Sequence, residues 1–354
     1  MINIKLNYKY FMIGDGSMDK NYQIIFPQKA TVEVREVEMP QINDDQVLIK
    51  TLVSQISTGT ELTRLMANVD ETSAWNKDII YPVYPGYSNV GEIVAVGKNL
   101  DQSWLGRRVL TANYHVKYSI PNLDEDFYFI PDNVDSDEAV FGVIAQVTLG
   151  SIRAAKIKLG ETVAVFGAGL IGHFVSRFAK LAGALNVVVV DTSDFRLGLI
   201  PKEKGFITVN SSRENVADVI KKVNDGKLAN IVFETTGVQS LAQSEAECVH
   251  KNGKLIITSS PRGSSFIDFD YCSRMGITII GAHNYAMHPL VETDLNPWTR
   301  WADSKFYIKL LEQEYFSVKN LITHRASFRD AKKMYDMLYE DRSKAMGVHL
   351  YWED

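Results

Sequence analysis

The glycines of Gly167-Ala168-Gly169-Leu170-Ile171-Gly172 follow directly on an apolar run, Thr162-Val-Ala-Val-Phe166, and precede a stretch with Phe174, Val175, Phe178 and Ala182 on one face. Strand, glycine turn and helix in that order form a phosphate cradle. Gly167 permits the tight turn, Gly169 leaves room for a pyrophosphate against the backbone, and Gly172 lets helix and strand pack closely. The amides of Leu170 and Ile171, at the helix start and without intrahelical partners, would hold the phosphates. The next apolar run, Asn186 to Val190, ends at Asp191, 19 residues past Gly172. That is the spacing of an acid that accepts hydrogen bonds from the adenosine ribose hydroxyls. An acid there repels a 2′-phosphate, so the expected cofactor is NAD, with NADP disfavoured. Arg196 is the one nearby group able to pair a 2′-phosphate, but it lies a helical turn beyond the strand, where a solvated or adenine-stacking arginine is expected.

A parallel sheet has to carry this cradle. Ile231-Val-Phe-Glu234, Lys254-Leu-Ile-Ile-Thr258 and Ile277-Thr-Ile-Ile280 are further short apolar runs, with amphipathic stretches between several of them, as in a sheet covered by helices on both faces. Earlier in the chain, Ala30 to Val37 and Gln46 to Val53 alternate at period two, and Tyr81 to Gly97 mixes β-branched residues with glycine and proline, which reads as bent antiparallel strands. After about Leu290 a helix is expected with Trp301, Ile308, Leu311 and Tyr315 on one face, then a second from Phe328 to Leu338. Gly347 to Trp352 reads as a strand that returns to the first domain. The fold class is therefore α/β, a doubly wound parallel sheet plus a β-rich domain. The expected boundaries are 1–147, 148–290 and 291–354.

The chain has 354 residues, 45% hydrophobic and 23% charged, with a formal net charge of −5. Its 38 basic residues are spread along the sequence, so no footprint for nucleic acid or an anionic membrane stands out. The N-terminal residues scatter polarity where an export signal needs an apolar core, and no run is long enough to span a membrane. A cytoplasmic protein with a small-molecule substrate is expected. Two cysteines, Cys248 and Cys272, without a Cys-x-x-Cys pair, set disulfides and structural zinc aside.

Together, Pro85-Gly86-Tyr87-Ser88-Asn89-Val90-Gly91, Gly106-Arg107-Arg108-Val109, the glycine turn, Phe233-Glu234-Thr235-Thr236-Gly237 and Ile322-Thr323-His324-Arg325 resemble the medium-chain dehydrogenase/reductase superfamily. The resemblance covers nearly the whole chain and implies a GroES-like catalytic domain beside a Rossmann domain, with Thr236 and Gly237 among the cofactor-binding residues. Zinc members of that superfamily carry ligands in three segments. Here the first reads Gln55-Ile56-Ser57-Thr58-Gly59-Thr60-Glu61, with Ser57 in the cysteine's place, and the second reads Gly86-Tyr87-Ser88. The third falls near Ile144 or Ala145, neither of which has a ligand atom. Such a set cannot hold catalytic zinc, so no metal is expected. The Ser-Thr-Gly-Thr-Glu wording is similar to a zinc-free branch that includes bacteriochlorophyllide 3-hydroxyethyl dehydrogenase and sugar-pathway oxidoreductases.

Without zinc, side chains must manage the hydroxyl proton as a hydride moves. The segments that the resemblance places by the nicotinamide offer Ser57, Thr60, Glu61 and Tyr87, and more loosely His115 and His283. Each has a structural alternative: Tyr87 as a space-filling aromatic, Glu61 as a buried partner of Arg107 or Arg108, and the histidines as hydrogen-bonded supports. Thr58 competes with Thr60 for the relay hydroxyl, and about Thr63 replaces the relay histidine. Trp298 and Trp301 are placed by the resemblance near a substrate cleft, with core packing the alternative. The expected activity is a zinc-independent, NAD(H)-dependent interconversion of a secondary alcohol and a ketone, on a sugar, polyol or biosynthetic intermediate. Its rivals are an NADPH-dependent enoyl or quinone reductase of the same superfamily and a non-catalytic dinucleotide-binding protein. The apolar strand Gly276 to Gly281, which would leave a bare sheet edge in a monomer, leads to the expectation of a homodimer.

Overall fold

The computed structural model describes residues 19–71, 73–125 and 127–353, so the N-terminal stretch read above for export signals lies outside the described residues. Contacts divide the chain into two compact units. One takes the residues up to 67, 79–143 and those from 305 onward; the other takes 68–78 and 144–304. These limits differ from the expected 1–147, 148–290 and 291–354, and side-chain bonds explain why. Arg153 Nε donates to Asp303 Oδ1 at 2.9 Å and Gln146 Nε2 to Ser304 Oγ at 2.7 Å, so the second unit extends to 304. The excursion at 68–78 is held by Asp70 N on Arg262 O at 2.9 Å and Trp75 Nε1 on Ser260 Oγ at 3.1 Å.

In chain order the strands are β1 (Asn21–Ile25), β2 (Glu33–Val37), β3 (Val47–Gln55), β4 (Asn89–Val96), β5 (Arg108–Thr111), β6 (Tyr118–Ser119), β7 (Phe127–Phe129), β8 (Thr162–Phe166), β9 (Asn186–Asp191), β10 (Phe206–Asn210), β11 (Ala229–Glu234), β12 (Val249–Ile257), β13 (Thr278–Gly281), β14 (Ile322–Ser327) and β15 (Gly347–Tyr351). In the first unit, β1 and β2 pair antiparallel, and a seven-stranded sheet runs β14-β15-β3-β4-β5-β7 with β6 on β3, among the described residues. The returning strand β15 pairs parallel with β14 and antiparallel with β3, putting His349 opposite Gln55 and Leu350 opposite Ser54. Beneath it a core gathers Ile24, Phe26, Ile56, Phe328, Tyr335 and Trp352, all fully buried. Phe328 stacks on Trp352 at 4.7 Å. Each such side chain contributes about 1.5–3 kcal/mol on burial, which fixes the end of β3 where the candidate catalytic residues begin.

The second unit holds a six-stranded parallel sheet of order β10-β9-β8-β11-β12-β13 among the described residues. Val187, Val188, Val189 and Val190 of β9 are all buried, as a strand covered on both faces requires. From β8 the chain passes first to β9 on one side and later to β11 on the other. In open α/β sheets ligands bind at such a switch point, here outside the carboxyl ends of β8 and β11. Strand β10 had no counterpart in the sequence reading, because Phe206-Ile-Thr-Val-Asn210 is short and mixed in polarity. The helix Arg300–Glu312 buries Ile308 and Leu311 as expected, but Tyr315 lies past its end and is 69% exposed.

Candidate functional site

The carboxyl end of β8 turns at Gly167, whose φ of 98° suits glycine. The helix Leu170–Leu181 starts immediately after, with Leu170 and Ile171 in its first turn. A Cβ on Gly172 would lie 1.7 Å from Gly167 O, so this position has to be bare for the turn to close. At Gly169 nothing among the described residues comes within 4 Å of such an atom. That space is what a pyrophosphate needs. Asp191 braces the turn: its Oδ2 accepts from Ala168 N at 2.7 Å and its Oδ1 from Ser193 N at 2.8 Å. From the other side, Thr235 Oγ1 donates to Phe166 O at 2.7 Å, and Thr236 Cγ2 lies 3.1 Å from where a Gly167 Cβ would stand. The structure thus brings Gly167 to Gly172, Asp191, Thr236 and Gly237 to one sheet end, and this cradle fits a dinucleotide. Arg196 sits on the helix Asp194–Gly198, where its backbone oxygen meets His173 Nε2 at 3.1 Å. Burial, then the charge of Arg177, pushes that imidazole down to about 3, so His173 stays neutral. Glu234 drew no role from the sequence, yet its carboxylate accepts from the amides of Thr236 and Gly237, both at 2.7 Å.

In the first unit, the chain leaving β3 carries Ser57 into the helix Thr60–Met66. Tyr87, in the turn before β4, donates its phenol hydrogen to Ser57 Oγ at 2.5 Å, and Thr60 also bonds the phenol. Burial pushes the Tyr87 phenol above the ordinary tyrosine range, and the charge of Glu61 adds to the rise although the Ser57 and Thr60 bonds oppose it. Tyr87 is therefore a donor, and Ser57 keeps its own hydrogen for an acceptor elsewhere.

Glu61 behaves differently from either expectation. It is 1% exposed, and its partners are neither Arg107, which stacks on Phe129, nor Arg108, which bonds Ser136 and the backbone at Pro131 and Asp132. Instead Oε1 accepts from Ser57 N at 3.0 Å, while Oε2 meets His115 Nε2 at 3.2 Å and the Tyr335 hydroxyl. Ser54 Oγ accepts from Trp352 Nε1 at 2.9 Å and contacts His115 Nδ1 at 2.8 Å. If the serine hydrogen goes to Nδ1, Nε2 carries the imidazole hydrogen and points it at Glu61. With three donors on a buried carboxylate, Glu61 supports the Ser57 turn from behind, which suits positioning better than proton abstraction. Thr63 Oγ1 is turned to Gly59 O at 2.8 Å, and Thr58 O accepts from Arg342.

His283 is exposed and its ring stacks on Tyr285 at 5.9 Å, in the second unit. Trp298 lies under the Arg153 guanidinium at 3.4 Å and, with Met287 and Asn296, lines a cavity of about 440 Å³; Trp301 is half-buried. The donors at the positions of zinc ligands do not fit that ion. Ser57 and Tyr87 are neutral hydroxyls bonded to one another, Ile144 and Ala145 are buried and apolar, and zinc takes thiolate, imidazole or carboxylate.

Residues 171–298 match the family described as zinc-binding dehydrogenase. Over 353 residues the chain is 26% identical to L-threonine 3-dehydrogenase of Vibrio cholerae, covering 90% of this chain and 95% of that one. Among solved structures, an Escherichia coli oxidoreductase/dehydrogenase of unknown specificity superposes with a TM-score of 0.81 at 22% identity, over 95% of this chain and 100% of that one. The fold is that of a medium-chain dehydrogenase. A further member of this fold, 2R,3R-butanediol dehydrogenase from Bacillus subtilis, superposes with a TM-score of 0.78 at 20% identity over 94% and 100% of the two chains. Among solved structures of this fold, a putative zinc-binding dehydrogenase from Sinorhizobium meliloti is bound to NADP and an alcohol dehydrogenase from Escherichia coli is complexed with NADH, so the architecture alone does not choose between them.

Proposed function

We propose that this chain is a zinc-independent, NAD-preferring oxidoreductase that interconverts a secondary alcohol and a ketone, with a sugar, polyol or related biosynthetic intermediate as substrate. The observation that carries the reading is the Ser57–Tyr87 hydroxyl pair in the place of metal ligands, in a chain whose other unit holds a complete dinucleotide cradle. NAD(H), when bound, accepts or supplies the hydride. In ketone reduction Ser57 gives its hydrogen to the carbonyl oxygen, Tyr87, already hydrogen-bonded to Ser57 Oγ, passes its own proton to that atom, and a proton from solvent restores the phenol, so that neither side chain ends charged. In alcohol oxidation the same two hydrogens move the other way. Glu61 keeps the Ser57 backbone in place without exchanging a proton. Asp191 supports NAD, because a 2′-phosphate beside its carboxylate meets like charge.

The experiment is a panel of ketones and secondary alcohols assayed by nicotinamide absorbance with NADH and NADPH, before and after chelator treatment, beside elemental analysis. Turnover with NADH, preserved after chelation at far less than one zinc per chain, is expected. Asp191→Ala should weaken NADH about tenfold or more while leaving NADPH equal or improved. Stoichiometric zinc lost together with activity overturns the metal-free reading, and NADH binding without turnover across the panel favours a binding protein.

A further inference from the structure

Past the end of β11, the Glu234 carboxylate takes four donors. Oε1 accepts from Thr236 N and Gly237 N, both at 2.7 Å, and from Thr236 Oγ1 at 2.9 Å, while Oε2 accepts from the Ser259 hydroxyl. One carboxylate therefore ties the Thr236–Gly237 turn to the chain leaving β12, and that turn abuts Gly167 of the phosphate cradle. On the neighbouring helix Ala242–Glu247, Glu245 is 0% exposed, and neither of its carboxyl oxygens has a hydrogen-bond partner among the described residues. Glu234 and Glu245 both line a small, partly open cavity of about 40 Å³, with Gly237, Ser265 and apolar walls that include Leu255 and Ile257. Such a volume holds about one water.

We propose that Glu234 is the positioning residue of the dinucleotide turn and that Glu245 is its proton-controlled partner: neutral, it leaves the clamp closed, and ionised, it loosens the clamp and lowers dinucleotide affinity. The inference rests on the dinucleotide reading of the Gly167 cradle. Two carboxylates facing one small, apolar-walled cavity cannot both be charged at little cost. Burial first, then the charge of Glu234, pushes the Glu245 carboxyl up to about 8. The groups around it do not supply a counter-charge. From β11 comes Glu234; from the turn into β12 comes Cys248, a thiol that burial, then Glu247 and Glu245, push up to about 12. The turn Gln239–Leu241 brings no titratable side chain. Arg262, next to the cavity-lining Pro261, comes against the turn at Gly237, with NH1 3.3 Å from where a Gly237 Cβ would stand, and is not among the charges that shift Glu245. Once ionised, Glu245 repels Glu234 across the cavity and so weakens the hold of that carboxylate on Thr236, Gly237 and Ser259.

NADH titrated by nicotinamide fluorescence from pH 6 to 9.5 tests this on the full-length protein, its Glu245→Gln, Glu234→Gln and Cys248→Ser variants. Wild-type Kd should rise about threefold or more with a midpoint near 8. Cys248→Ser should keep that rise, Glu245→Gln should flatten it, and Glu234→Gln should weaken NADH at every pH. A rise in Glu245→Gln equal to that of wild type overturns the clamp while leaving the dinucleotide reading intact. No NADH binding at any pH removes both.

Discussion

In the proposed reaction Ser57 and Tyr87, hydrogen-bonded to one another, divide one proton step between two hydroxyls. Ser57→Ala removes the group that meets the substrate oxygen, and kcat should fall about a hundredfold or more with KM for the cofactor unchanged. Tyr87→Phe leaves the serine hydrogen in place but withdraws the proton behind it, so about a tenfold loss is expected in the same steady-state assay. Equal losses in the two variants would show that the phenol itself touches substrate. The pairing was not legible in the sequence, since residues 57 and 87 are joined only by the antiparallel pairing of β3 and β4. What the sequence did expose was the absence of thiol and imidazole at these positions. Glu61 was legible as a buried acid but not by its partners, because Tyr335 stands 274 residues away. Nearby arginines in a motif are a poor guide when the fold brings in a distant phenol.

At the scale of elements, the strand, glycine and helix pattern is local and was read directly, as were the runs that became β8, β9, β11, β12 and β13. Residues 68–78 escaped because their allegiance depends on backbone bonds to Arg262 and a side-chain bond to Ser260, which leave no periodic trace. The glycine turn yields a paired prediction. Gly172→Ala drives a methyl into Gly167 O and should destabilise the protein by about 1–3 kcal/mol or more in urea unfolding. Gly169→Ala meets open space, so its stability should stay near wild type while NADH binding weakens. The opposite pattern would mean that the space at Gly169 is not where phosphate lies. The helix Ala242–Glu247 has its own signature in stability. Because Glu245 holds its proton more tightly when folded, up to about 8, its contribution is fully present below the ordinary carboxyl range and is lost as pH rises through 8. Glu245→Gln should therefore gain on wild type by roughly 4 kcal/mol between pH 5 and pH 9. A constant difference across that range would show that folding does not raise the Glu245 carboxyl above its ordinary value.

For the whole molecule, β13 closes one edge of the six-stranded sheet with Ile279 and Ile280 partly exposed, and Tyr285, Leu290, Val291 and Leu295 that follow are 69–98% exposed. A bare edge beside so much apolar surface favours pairing with a second copy, and sedimentation at micromolar concentration should give a dimer mass. A monomer there would contradict it. No helix among the described residues is long and apolar enough to cross a membrane. A different consequence follows from the place of β15 between β14 and β3. The ring of Trp352 bonds Ser54 from 298 positions further along the chain. A ribosome therefore emits every strand of the dinucleotide sheet, which ends at Gly281, before it emits the strand that completes the surroundings of Ser57. Since units fold as they emerge, the nascent chain can complete its parallel sheet before the strand that backs Ser54 and Gln55 exists.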